Sequence, residues 1–153
     1  MTISTYNYNI FNKKSINMPK STTTANDAIN AFLRAVDPAW RSGATRYISL
    51  HTATPGTGGN QETNEATYGS YARVAVTAAT GFSAASSGAT SNTGLLQFPE
   101  CTSGSDTVTY VAIGTASSGT GQIIYFGALT ASRDISSGIQ PQFAIGALTA
   151  TES

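Results

Sequence analysis

A single imidazole, His51, and a single thiol, Cys101, are all that these 153 residues offer of the two most versatile reactive side chains. Ser49 precedes His51 by two positions, which on a strand puts both side chains on one face. A serine beside a histidine is the start of a nucleophile–base pair. A triad needs a third group to orient the imidazole, and none is evident, so His51 is read as structural. Glu62 and Glu65 are close enough to act as paired carboxylates in acid–base catalysis or calcium binding. Without an Asp-x-Asp run they read as a solvated loop. Gly56-Thr57-Gly58-Gly59 has the glycine content of a phosphate loop, but no Lys-Ser/Thr follows and no helical pattern begins there; it reads as a turn. Cys101 has no flanking base or cation to activate it, and a lone cysteine makes neither an internal disulfide nor a zinc site. Arg73, in Tyr71-Ala72-Arg73-Val74, either pairs with a carboxylate of a neighbouring subunit or stands as an exposed strand arginine. The expectation is therefore a chain with no catalytic, cofactor-binding or metal-binding residues: not an enzyme.

The composition agrees. Thr, Ala, Ser and Gly supply 78 of the 153 residues, and charged residues are 10%, against roughly 25% in an ordinary domain. Such a chain suits strands and tight turns. Its formal net charge is zero, so nothing argues for nucleic acid or an anionic membrane, and no basic stripe interleaved with aromatics exists outside the first twenty residues. A near-neutral, charge-poor surface favours self-association. No apolar run approaches the roughly 18 residues of a membrane span, and no apolar stretch follows the early lysines as in a signal peptide.

The elements that must position these residues follow from periodicity. Ile29, Phe32, Leu33 and Val36 fall at i, i+3, i+4 and i+7, which predicts a helix over 25–36 with one apolar stripe. Thr24 is its expected N-cap, Asp27 completes a capping-box variant, and Asp37-Pro38 stops it. Trp40 is expected to pack under the turn. From Arg46 onward the period becomes two. Strands are expected at 46–52 (Ile48 and Leu50 opposite Tyr47, Ser49 and His51), 71–77 (Ala72, Val74 and Val76 inward, Arg73 outward), 95–98 and 108–115, with a weak one near Phe82. Residues 124–131 and 143–150 echo each other around Gly-Ala-Leu-Thr-Ala, as two strands in equivalent positions would. The expected fold is all-β, a jelly-roll-like or immunoglobulin-like β-sandwich with one short N-terminal helix.

Charge is unevenly placed. Lys13, Lys14 and Lys20 are the only lysines and residues 1–20 hold no acid, giving +3; the remainder has five arginines against eight acids, giving −3. Tyr6, Tyr8, Ile10, Phe11 and Ile16 lie in the same segment without a period. Residues 1–20 therefore read as an extended arm on a single domain over 21–153, ordered on the particle against another subunit or the underlying shell by its apolar groups, with the lysines adding a salt-sensitive attraction.

Several motifs recur in a familiar order. Tyr47-Ile48-Ser49-Leu50-His51-Thr52-Ala53-Thr54-Pro55 precedes a Gly/Asn/Glu loop and Gly69-Ser70-Tyr71-Ala72-Arg73-Val74-Ala75-Val76. Leu96-Gln97-Phe98-Pro99, Val108-Thr109-Tyr110-Val111-Ala112-Ile113-Gly114, Phe126-Gly127-Ala128-Leu129-Thr130, Ile139-Gln140-Pro141-Gln142-Phe143 and Gly146-Ala147-Leu148-Thr149 follow. Over about residues 25–150 the chain resembles a family of small bacteriophage structural proteins commonly labelled tail fibre or minor tail proteins, and it is similar to the β-sandwich cement proteins that decorate phage heads. The resemblance implies a virion protein, assembled in the bacterial host cytoplasm, with no enzymatic residues to carry over. With the basic, aromatic arm it leads to the expectation of a capsid decoration protein, a homotrimer bound to the major capsid protein. A tail fibre or minor tail component is the alternative. A carbohydrate-binding module, with Tyr68, Tyr71 and Tyr110 as its platform, is the third reading.

Overall fold

A computed structural model describes residues 8–11 (backbone only) and 18–152. The fold is all-β with one short N-terminal helix. Thr45–His51 (β2), Val74–Thr77 (β3), Ser105–Gly114 (β6) and Ile123–Ser136 (β7) form an antiparallel sheet in the order β3-β2-β6-β7. Leu96–Gln97 (β5) and Gln140–Phe143 (β8) pair antiparallel, and Tyr8–Phe11 (β1) adds to β8 in parallel. Ala89–Ser91 (β4) and Thr149–Thr151 (β9) form a separate ribbon.

β2 lies between β3 and β6, with the core on one face and contacts from the 52–69 loop on the other. Ile48, Ser49, Leu50 and His51 are all inaccessible, so both faces of the strand are covered rather than one. Ile48, Leu50, Val76, Val108, Val111 and Ile113 from the larger sheet meet Leu96, Phe98 and Phe143 from the smaller one in one core. Ala112, Ile123 and Phe126 form a second cluster with Tyr110. Each fully buried large aliphatic or aromatic side chain contributes roughly 1.5–3 kcal/mol.

The helix forms one turn earlier than its periodicity indicates, over Thr22–Arg34 (α1). Ser21, not Thr24, is the N-cap: its hydroxyl accepts from the Thr24 amide at 3.2 Å. The helix ends before Asp37-Pro38 because Ala35 adopts the left-handed conformation, φ 53°.

The echoed segments are not equivalent. Gly127 lies inside β7, whereas Gly146 sits in a turn at φ +72°. Buried Asn92 sets this difference. Its Nδ2 donates to Ala144 O, its Oδ1 accepts from the Leu148 amide and its carbonyl from the Gly146 amide. The local sequence is shared, but only the second copy meets this clamp.

Among the described residues, the segment read as an arm meets the body through β1, Met18, Pro19 and Lys20. The β1 backbone lies beside β8 with Tyr8 opposite Gln140 and Phe11 opposite Phe143. Met18 is buried in the core, and Pro19 O accepts from the Phe126 amide on the edge of β7.

Candidate interaction surface

The strands bring together most of the residues with chemical potential, and bury them. Ser49 Oγ lies 2.9 Å from His51 Nε2, and His51 Nδ1 lies 2.9 Å from Thr63 O. A carbonyl at one ring nitrogen and a serine at the other is the hydrogen-bond pattern of a nucleophile–base pair. Both side chains are nevertheless at 0% exposure, which leaves a substrate no approach. Burial lowers the His51 pKa, with the Thr63 hydrogen bond and the Glu65 charge opposing in part. The ring is thus a neutral bracket between β2 and the 52–69 loop.

That bracket titrates in one direction. A folded-state pKa below the unfolded value means that the unfolded chain binds the proton more readily. The His51 contribution is complete above the unfolded pKa of about 6.5 and is lost as pH falls toward the folded value. The urea midpoint of the wild type should therefore drop from pH 7 to pH 5 more steeply than that of His51→Gln; parallel slopes would contradict this.

Arg73 is the main correction. It precedes β3 and points inward, its side chain 2% exposed, and its partner is in the same chain. Nε and Nη2 donate to the two Glu65 oxygens at 2.6 and 2.7 Å, and Nη1 and Nη2 reach Ala116 O and Gly119 O at 3.0 and 2.8 Å. Neither the intersubunit pair nor the exposed arginine describes it. Burial works against the charge, but the Glu65 hydrogen bonds and charge outweigh it and raise the pKa. Glu65 also accepts from the Tyr71 hydroxyl, which in turn accepts from the Leu50 amide. Burial, and then Glu65, push the Tyr71 pKa well up.

Gln61 was not legible as a key residue. It is inaccessible in the loop before Glu65, its Nε2 donating to Tyr47 O and its Oε1 accepting from the Ala116 amide. Space for it comes from two glycines: a Cβ on Gly114 or Gly121 would lie 2.1 or 2.2 Å from the Gln61 amide group. Gly114→Ala should destabilise the fold by about 1–3 kcal/mol, as overpacking does. In a Gln61→Ala background most of that loss should disappear, which a double-mutant cycle by urea unfolding will read.

The tyrosines do not make a sugar platform. Tyr68 is 3% exposed and packs edge-on against Tyr71 at 5.2 Å, while Tyr110 is half-buried against the second core cluster. Cys101 is buried, with its thiol directed at the Ser103 carbonyl. Among the described residues no group of three His, Cys, Asp or Glu could hold a metal ion, and no helix is long and apolar enough to cross a membrane.

What the molecule does present outward is the apolar stripe of α1. Ile29, Phe32 and Leu33 of α1 and Val36 just past its end are 56, 84, 80 and 49% exposed, the reverse of the core-facing stripe that the periodicity suggests. The cause lies on the opposite face. Ser21 Oγ and Thr24 Oγ1 both donate to Ile123 O, at 2.6 and 2.8 Å. Asp27 accepts from Trp40 Nε1 and Gln122 Nε2, at 2.8 and 2.9 Å. These polar residues, three positions apart, cover the edge of β7 and fix the helix by its hydrophilic side. That spacing was the available signal. Beside the helix runs a groove of about 680 Å³, lined among others by Lys20 and Glu152, paired at 2.6 Å. Trp40 lines it as well, with the Arg46 guanidinium 5.8 Å from its ring centre.

Of the arm residues, Tyr6, Lys13 and Lys14 lie outside the described residues, and of Tyr8, Ile10 and Phe11 only the backbone is described. Lys20, expected at an interface, is engaged by Glu152 of its own chain. Burial raises the Glu152 pKa, but hydrogen bonds from Lys20 and Tyr125 outweigh it and the net shift is downward.

A comparison with curated proteins finds no match. The family model described as Podophage GP4 fiber I protein gp80 matches residues 19–151, from the end of the N-terminal segment to β9. With nearly the whole described fold inside that match, the chain belongs to this family of phage structural proteins, and its place is in the virion.

Proposed function

We propose that the chain is a non-catalytic structural component of a phage fibre, acting through contacts with other virion proteins and with copies of itself. The observation that carries this reading is the match of residues 19–151 to a family described as a fiber protein. The sealed Ser49–His51 pair and the outward ridge of α1 support it: the reactive groups are inside and the apolar contact surface is outside. A capsid decoration role, as a homotrimer on the major capsid protein, is the second reading. It is favoured by residues 1–20, which carry +3 and five large apolar or aromatic side chains.

Copy number separates the two. In a stained gel of purified virions, a fibre component is expected as a faint band against the shell protein. A band approaching the shell protein in copy number would transfer the chain to the head, and absence from purified particles would contradict both readings. Ser49→Ala is expected to leave virion assembly and infectivity unchanged, provided that the variant folds.

A further inference from the structure

We propose that the groove beside α1 docks a peptide segment of another virion protein in which a large apolar side chain stands next to a carboxylate. The apolar group seats among Trp40, Phe82 and Tyr125, and Arg46 holds the carboxylate. Arg46 is a cation without its anion. It lines the groove, and its guanidinium carbon lies 5.8 Å from the centre of the Trp40 ring. Within the chain it donates from Nη1 alone, to Gly43 O and Thr45 O at 2.9 and 3.0 Å. Among the described residues Nε and Nη2 of Arg46 have no acceptor, and no carboxylate lies within 4.0 Å of it. Arg73 shows what that edge of a guanidinium does when satisfied: its Nε and Nη2 grip the two oxygens of Glu65. In Arg46 the same two-donor edge is open to a carboxylate from outside the chain. Burial lowers the Arg46 pKa, a cost to its charge that an incoming carboxylate offsets.

Charge selects the partner. The other two cations of the groove are already neutralised, Lys20 by Glu152 and Arg41 by Asp37. Asp27 is committed to Trp40 Nε1 and Gln122 Nε2, which fixes the indole before anything binds. Arg34, in the last turn of α1, bonds only to the neutral Asn30. Arg34 and Arg46 thus leave this side of the molecule with two cations that lack a carboxylate partner, a field that favours an acidic segment and opposes a basic one. The N-terminal segment of a second copy, with three lysines and no acid, is disfavoured on the same ground. Size sets the rest. A volume of about 680 Å³ is that of a cleft for a small ligand or a short stretch of chain, not of a seat for a helix face. Ala28, Ala31 and Ala79 line it with small side chains, so the room belongs to the incoming group. The inference rests on the reading of the chain as a virion component that works through other virion proteins, and it names the chemistry of the segment bound.

An array of overlapping synthetic peptides covering the other structural proteins of the purified virion, probed with the full chain, tests this. The peptides that bind should carry Asp or Glu beside a large apolar residue. Titrated in solution, they should change the fluorescence of Trp40, the chain's only tryptophan. Arg46→Gln should weaken binding roughly 10- to 100-fold, the weight of a hydrogen bond to a charged group. Replacing the peptide's carboxylate by its amide should cost as much, and the two changes together should cost little more than either alone. Circular dichroism of Arg46→Gln should match the wild type. If that variant were unfolded, Ala85→Glu, at an exposed position of the groove, replaces it and should weaken the acidic peptides by repulsion. An array with no bound peptide, a preference for basic or uncharged peptides, or binding indifferent to the groove variants and to Trp40 would overturn the proposal. Acidic, Arg46-dependent peptides that come from the shell protein would uphold the groove site and overturn the fibre reading, so the two fail separately.

Discussion

Arg73→Ala should destabilise the fold by about 3–5 kcal/mol, the usual cost of removing one partner from a buried ion pair. The side chain is 2% exposed, and its donors satisfy both Glu65 oxygens and the carbonyls of Ala116 and Gly119. Without it, Glu65 keeps the Tyr71 hydroxyl but loses its only ion-pair partner among the described residues. Two loops lose their common anchor at the same time, since Glu65 lies in the 52–69 loop and Ala116–Gly119 lies between β6 and β7. Domains of this size have a total stability of about 5–15 kcal/mol, so the variant should be partly unfolded at 37 °C. Arg73→Lys should recover only a minor part, because an ammonium cannot make the two-pronged contact with the carboxylate or span both carbonyls. Urea unfolding followed by tyrosine and tryptophan fluorescence measures this. A loss below about 1 kcal/mol would class the pair with weak surface salt bridges.

Phe98→Ala is expected to be comparably severe, at about 3–5 kcal/mol. Phe98 is inaccessible and lies just after β5, its amide donating to Pro141 O. Its ring stacks on Tyr71 at 6.3 Å and meets Phe143 of β8 at 6.4 Å. It thus joins the smaller sheet to the Arg73 hub. Phe98→Leu fills more of the space and should recover about half the loss. A melting temperature unchanged in Phe98→Ala would mean that the two sheets are not held through this contact.

The sequence made the strands legible because alternation and turn residues act locally. Ile48 and Leu50, and the apolar run ending at Gly114, sit where period two puts them. The helix was legible in its existence but not in its direction. An apolar stripe normally faces the core, and here the hydrogen bonds of Ser21, Thr24 and Asp27 to β7 and its flank outweigh that default. Arg73 was misplaced because strand alternation was extended back through Tyr71, whereas the chain turns at Ser70, φ +72°, and β3 begins only at Val74. The Glu65 contact spans eight residues and the Ala116 contact forty-three, and no local pattern encodes either. The same holds for Gln61 and Asn92, which became significant only once the loops around them closed. Ser49 and His51 were rightly paired on one face, but their burial involves the 52–69 loop, which returns to β2 through Thr63 and Gln61 and which no local pattern encodes.

Electron microscopy of virions labelled with gold through a tag at the C-terminus, beyond β9, tests the fibre assignment most directly. Gold should lie on fibres and should be lost from particles whose fibres are sheared off. Gold spread evenly over the head shell would contradict the fibre reading and return the chain to capsid decoration.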